Sequence, residues 1–157
     1  MTRNSTELTY LRAAVQNASA VGLVIVLYDL LISDLRAAIA AIADSNIEQR
    51  SKDLKHAFLV LEQMEQSLDM ENGGEAAINL SRFYATLRGN IMDAHVKANP
   101  QLLSKQIELI FQVRGAWAQV DKPAAEELHS ANSYANRASA SVESEESRSD
   151  MSASWSA

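Results

Sequence analysis

Three histidines, His56, His95 and His129, and the carboxylates beside them are the side chains of this sequence best suited to chemistry. Di-iron bundles place Glu-x-x-His on two helices and add two further inward glutamates. Glu126-Glu127-Leu128-His129 supplies that spacing once, and Asp53-Leu54-Lys55-His56 is only a relative of it. Neither a GxSxG nucleophile motif nor an HExxH zinc pair is present. The 157 residues contain no cysteine, which excludes disulfides, thiolate metal sites and thiol nucleophiles. A phosphorelay histidine would need a solvent-facing imidazole, and its His-x-x-Lys-Gly pattern is absent at both His56-Ala57-Phe58 and His95-Val96-Lys97. His56 and His95 therefore read as half-exposed border residues. We expect no catalytic residue, no metal and no cofactor, and hence no enzyme.

The elements that would hold any functional side chain are helices. Only five glycines and two prolines punctuate the chain. The first predicted helix contains Val21 to Ile42, and its apolar arc covers about 220°, against roughly 100° for an ordinary surface helix. Val24, Tyr28, Leu31, Leu35, Ala38 and Ile42 make one seam, read as core. Ile25, Ile32 and Ile39, spaced by sevens, make a second row, read as a groove that a partner helix could enter. On this reading Ile32→Asp spares the fold while Leu35→Asp destroys it. Asp29, beside Tyr28, sits at the rim of the groove. Trp117 is either core or a rim anchor.

Three more helices follow. Asn46 is placed to cap the second, from Ile47 to about Met70, with Gln49 answering it and a seam of Ile47, Leu54, Phe58, Leu61 and Leu68. Gly73-Gly74 ends it. The third begins near Glu75 and carries Ala77, Leu80, Tyr84, Leu87, Ile91 and Ala94. Asn99-Pro100 then starts a fourth that runs to about Val120 along Leu103, Ile107, Ile110, Val113 and Trp117. Four helices of similar length on short turns predict an all-α, antiparallel up-and-down four-helix bundle over 18–122. A flexible N-terminal segment, 1–17, precedes it. A Ser/Glu-rich tail, 123–157, follows and is too poor in apolar groups to offset its ordering entropy.

The net charge of −6 is concentrated in the tail, where from residue 124 six acids face two bases. The remaining body has no Lys/Arg cluster, which argues against nucleic acid. Asp29, Asp34 and Arg36 interrupt the apolar helix and argue against membrane insertion. The N-terminus lacks the pattern of a signal peptide, so a cytoplasmic location is expected.

From Tyr10 to Gln119 the pattern resembles the FliS family of flagellin export chaperones. The resemblance rests on Tyr10, Leu27-Tyr28-Asp29 with Ile32, Ser67-Leu68-Asp69 before Gly73-Gly74, Leu80 with Phe83-Tyr84, and Arg114-Gly115-Ala116-Trp117. The chain departs from the family before its first helix, where Asn17-Ala18-Ser19-Ala20 stands in place of a proline-containing start. The resemblance implies a cytoplasmic, non-enzymatic chaperone. Its partner would be the C-terminal segment of flagellin, kept from premature polymerisation, with a component of the flagellar export gate as a second partner. Tyr10 would lie over the cargo groove in the free protein. Protein-binding residues on this reading are Tyr10, Ile25, Tyr28, Asp29, Ile32, Ile39 and Trp117. The alternative is a four-helix signalling module, either a histidine phosphotransfer domain or a coiled-coil adaptor.

Overall fold

Capping side chains and short polar turns cut the chain into helices. The computed structural model describes Thr9, Arg12 and residues 19–120. Within it run α1 (Ala20–Ala43), α2 (Ile47–Gln66), α3 (Gly74–Lys97) and α4 (100–120). The described residues contain no strand, and the helices form the expected antiparallel bundle. α1 packs closely on α2 and α2 on α3, while the backbones of α1 and α3 stay apart, as diagonal partners must. Residues up to Ala118 belong to one compact unit, and Gln119–Ala157 forms another. Tyr10, most of segment 1–17 and the tail 123–157 lie outside the described residues.

The helix starts follow the capping chemistry. Ser19 Oγ accepts the Gly22 N–H at 3.0 Å and opens α1. Asn46 Oδ1 accepts the Gln49 N–H at 3.0 Å and opens α2. The reciprocal half of the expected capping box does not form, because the Gln49 amide turns to Asp53 Oδ1 at 2.8 Å. Asn99 Oδ1 accepts from the N–H groups of Gln101 and Leu102, with Pro100 in the first turn of α4.

α2 ends at Gln66, four residues before the expected Met70. Ser67 Oγ donates back to the Met64 carbonyl, and the Asp69 carboxylate gathers the N–H groups of Glu71 and Asn72 and the Asn72 amide. These local bonds compete with helical ones and turn the chain early. Of the two glycines only Gly74 has positive φ, at 56°. Gly73 is required for space, since a Cβ there would run into the Asp69 carbonyl and the Ala77 methyl.

The core corrects the sequence reading in three places. Ile32 is 3% exposed and belongs to the core with Tyr28, Leu31, Leu35, Ala38 and Ala41. The cause is α4: Asp29 and Arg36, the outer neighbours of Ile32 on α1, reach Arg114 and the Phe111 ring of α4. On α2 the buried face is Leu54, Ala57, Val60, Leu61 and Met64, while Phe58 and Leu68 are half-buried and Ile47 is exposed. The seam is rotated toward α1 because α2 packs more closely on α1 than on α3. On α4 the buried face admits a polar residue, Gln106, whose side-chain oxygen accepts from the Asn90 amide of α3 at 3.1 Å.

Two expected outcomes follow from this packing. Ile32→Asp and Leu35→Asp should both unfold the bundle, since each leaves an unpaired buried charge costing about 3 to 5 kcal/mol, and thermal melts followed by circular dichroism check it. Ala98 ends α3 in the left-handed region at φ 48°. Ala98→Gly removes that penalty and should raise stability by about 1 kcal/mol, read from the denaturant midpoint.

Candidate functional site

The two halves of α1 have different surroundings. From Tyr28 onward six residues are buried, whereas from Val21 to Leu27 no residue is, although all seven are apolar or glycine. Leu23 is 39% exposed, and Val24, Ile25, Val26 and Leu27 keep part of their surface around the whole circumference. Antiparallel packing sets these turns at the bundle end that also carries the end of α2, the start of α3 and the end of α4. Half-buried Leu68, Leu80, Phe83, Val113 and Trp117 come from those three segments. The result is an apolar collar with unfilled contact capacity, the kind of surface that accepts a partner's side chains.

The collar rests on a buried polar junction. Tyr28 of α1 and Tyr84 of α3 bring their hydroxyls to 2.8 Å across the bundle diagonal, with ring centroids 6.4 Å apart. The Trp117 indole N–H donates to the Tyr28 oxygen and ties α4 to the same point. Burial pushes both phenols above their ordinary pKa, because a phenolate there would lose its hydration. Beside this junction the Arg114 guanidinium holds the Asp29 carboxylate through two bonds, Nε to Oδ1 and Nη2 to Oδ2, the latter at 3.0 Å. The flat fork of arginine suits such a bidentate contact.

The residues expected to line the groove are therefore split. Ile25 and Trp117 are half-buried at the collar, and Asp29 is exposed and paired on the α1–α4 rim. Tyr28, fully buried, and Ile32 lie beneath the surface as its support, which corrects their placement as groove walls. Ile39 is half-buried but about 20 Å further along the helix from Ile25. Tyr10 is outside the described residues. Tyr84 was legible as a seam residue, but its hydroxyl contact, 56 residues from Tyr28, leaves no periodic signal. His56 serves the fold: its Nδ1 lies 2.7 Å from Asp34 Oδ2 and joins α2 to α1. Among the described residues no cluster of His, Asp and Glu could hold a metal ion, and no helix is long and apolar enough to cross a membrane.

Because folding raises both phenol pKa values above the unfolded value near 10, the unfolded chain loses these protons first, and stability falls as pH rises beyond about 10. A spectrophotometric titration should show a late-ionising phenol fraction that appears together with loss of helicity and disappears from the Tyr28→Phe/Tyr84→Phe variant. In a double-mutant cycle the two single replacements should couple by about 1 kcal/mol.

Comparison with known proteins bears on what this collar serves. The family described as "Flagellar protein FliS" matches residues 2–124. The flagellar secretion chaperone FliS of Vibrio cholerae is 33% identical over 81 residues, 52% of this chain and 60% of that protein, so the chain spans less than two thirds of that relative. The flagellar secretion chaperone FliS of Salmonella typhimurium is 26% identical over 113 residues, 71% of this chain and 84% of that protein. The Tyr28–Tyr84–Trp117 junction, the Asp29–Arg114 clamp and the collar above them all fall inside the matched span, and the chain belongs to the FliS family of flagellar proteins.

Proposed function

We propose that this protein is a cytoplasmic flagellar secretion chaperone that binds the C-terminal segment of flagellin and assists its delivery to the flagellar secretion apparatus. It acts by stoichiometric binding and carries out no chemistry. The observation that supports this reading is the apolar collar at Val21–Leu27 in a chain of the FliS family. A segment that folds on binding gives back several kcal/mol for its ordering, so it requires a long apolar surface rather than a closed pocket. The collar provides one, and the charged Asp29–Arg114 pair gives it a polar rim.

In this proposal Leu23, Ile25 and Trp117 touch the cargo, and Asp29 orients it at the rim. Tyr28 and Ile32 act from below by holding α1 and α4 in place. Ile39 is reached only by a partner that runs lengthwise along α1. Tyr10 belongs to the segment that covers the surface before cargo arrives. Covering the flagellin segment also blocks the surface through which flagellin subunits would associate early, and a component of the export gate would then receive the loaded chaperone.

Calorimetry with a peptide from the C-terminus of the same organism's flagellin tests the proposal. Binding in the micromolar range or tighter is expected. Leu23→Asp should weaken it by about tenfold or more, equivalent to about 1.4 kcal/mol, while the melting temperature moves by only a few degrees, because Leu23 is already exposed. In a Trp155→Phe background the emission of Trp117 should shift on binding. Absence of heat and of any mobility shift at tens of micromolar peptide would refute the reading.

A further inference from the structure

We propose that the outward face of α3 is a two-fold self-association surface, and that its occupant is α3 of a second copy of this chain, lying antiparallel. Stepping 100° per residue places Ile78, Ala85, Gly89, Met92 and Val96 within about 60° of one another on the side of α3 away from the core. Ile78, Ala85 and Met92 are spaced by sevens, as are Gly89 and Val96, which is the repeat of a helix that packs lengthwise on another helix. Nothing in the chain covers this ridge. Val96 is 78% exposed, Met92 47% and Ile78 43%, and a Cβ added at Gly89 would meet open space.

The choice of occupant rests on self-complementarity. When two α3 helices cross antiparallel about an axis near Leu87, Ile78 comes opposite Val96 and Ala85 opposite Gly89. The small pair then sits at the centre, where backbones approach most closely, and the large apolar residues fill both ends. The same axis brings Arg82 opposite Asp93 and Glu75 opposite Lys97, all on one flank of the ridge, so opposite charges meet four times by symmetry. Such an arrangement requires no second sequence. In the single chain Asp93 is occupied by Lys97 at 2.9 Å, but that pair is exposed and cheaply exchanged. The ridge lies on a different helix from the collar of α1, so the inference stands independently of any cargo.

One helix face is smaller than a standard interface, so a weak dimer is expected, populated over roughly 10 to 500 µM. Sedimentation velocity of the full chain should show a monomer passing to a dimer over that range. Gly89→Glu should abolish the dimer and Arg82→Glu should weaken it about fivefold, both without loss of helicity. The charge exchange Arg82→Glu/Asp93→Arg should restore most of the association. Because the chain has no cysteine, Ala85→Cys and Gly89→Cys chains can be mixed and oxidised. The mixed 85–89 disulfide should exceed both homodimeric products. A monomer at every concentration overturns the proposal. So does a dimer indifferent to Gly89→Glu and Arg82→Glu, or a disulfide yield with no preference for the mixed pair.

Discussion

Two hydroxyl groups meeting in the centre of a helical bundle constrain everything around them. Tyr28 and Tyr84 come from diagonal helices whose backbones do not touch, so their rings must bridge the full width of the core. A buried hydroxyl without a partner costs about 1 to 3 kcal/mol, and the two oxygens satisfy each other only if α1 and α3 keep one spacing and one register. Trp117 extends the same requirement to α4 by donating to Tyr28. Three helices are thus indexed on a single polar point, where an all-leucine core would allow them to slide.

The remaining seams are fastened closer to the surface. His56 meets Asp34 between α2 and α1, Arg88 meets Glu65 and stacks over Phe58 between α3 and α2, and Asn90 meets Gln106 between α3 and α4. Arg114 and Phe111 of α4 take Asp29 and Arg36 of α1. Exposed contacts of this kind are individually weak, so they select the pairing of helices more than they stabilise it. The stability resides in the buried aliphatic side chains between them, each contributing about 1.5 to 3 kcal/mol on burial.

Much of this architecture was legible in the residues themselves. Asn46, Asn99 and Pro100 mark helix starts because their side chains or rings do so locally, wherever the helix packs. The apolar surplus of α1 was equally visible, but its division was not. Ile32 and Ile25 belong to one row seven residues apart, yet one lies in the core and the other at the collar, because α4 covers the middle of α1 and periodicity along one helix carries no record of a neighbour. The early end of α2 was hidden for a different reason. Asp69 and Ser67 bind backbone groups of their own turn, and helical spacing continued past them to Met70. The Tyr28–Tyr84 contact and the Asp29–Arg114 clamp join residues 56 and 85 positions apart, a separation that only the folded chain brings together.

The connections give the bundle a mechanical polarity. At one end α1 turns into α2 within residues 44–46 and α3 into α4 within 98–99, each through a non-glycine residue in the left-handed region, Ser45 and Ala98. At the other end lie the start of α1, the longer 67–73 link and the last turns of α4. The molecule is therefore two stiff helical hairpins hinged at their tight turns, like tweezers whose tips carry the collar. Opening fluctuations concentrate where few side chains are buried, so the tips breathe while the hinge end stays closed. A chaperone built this way can admit partners of varying girth at its soft end and still keep its register.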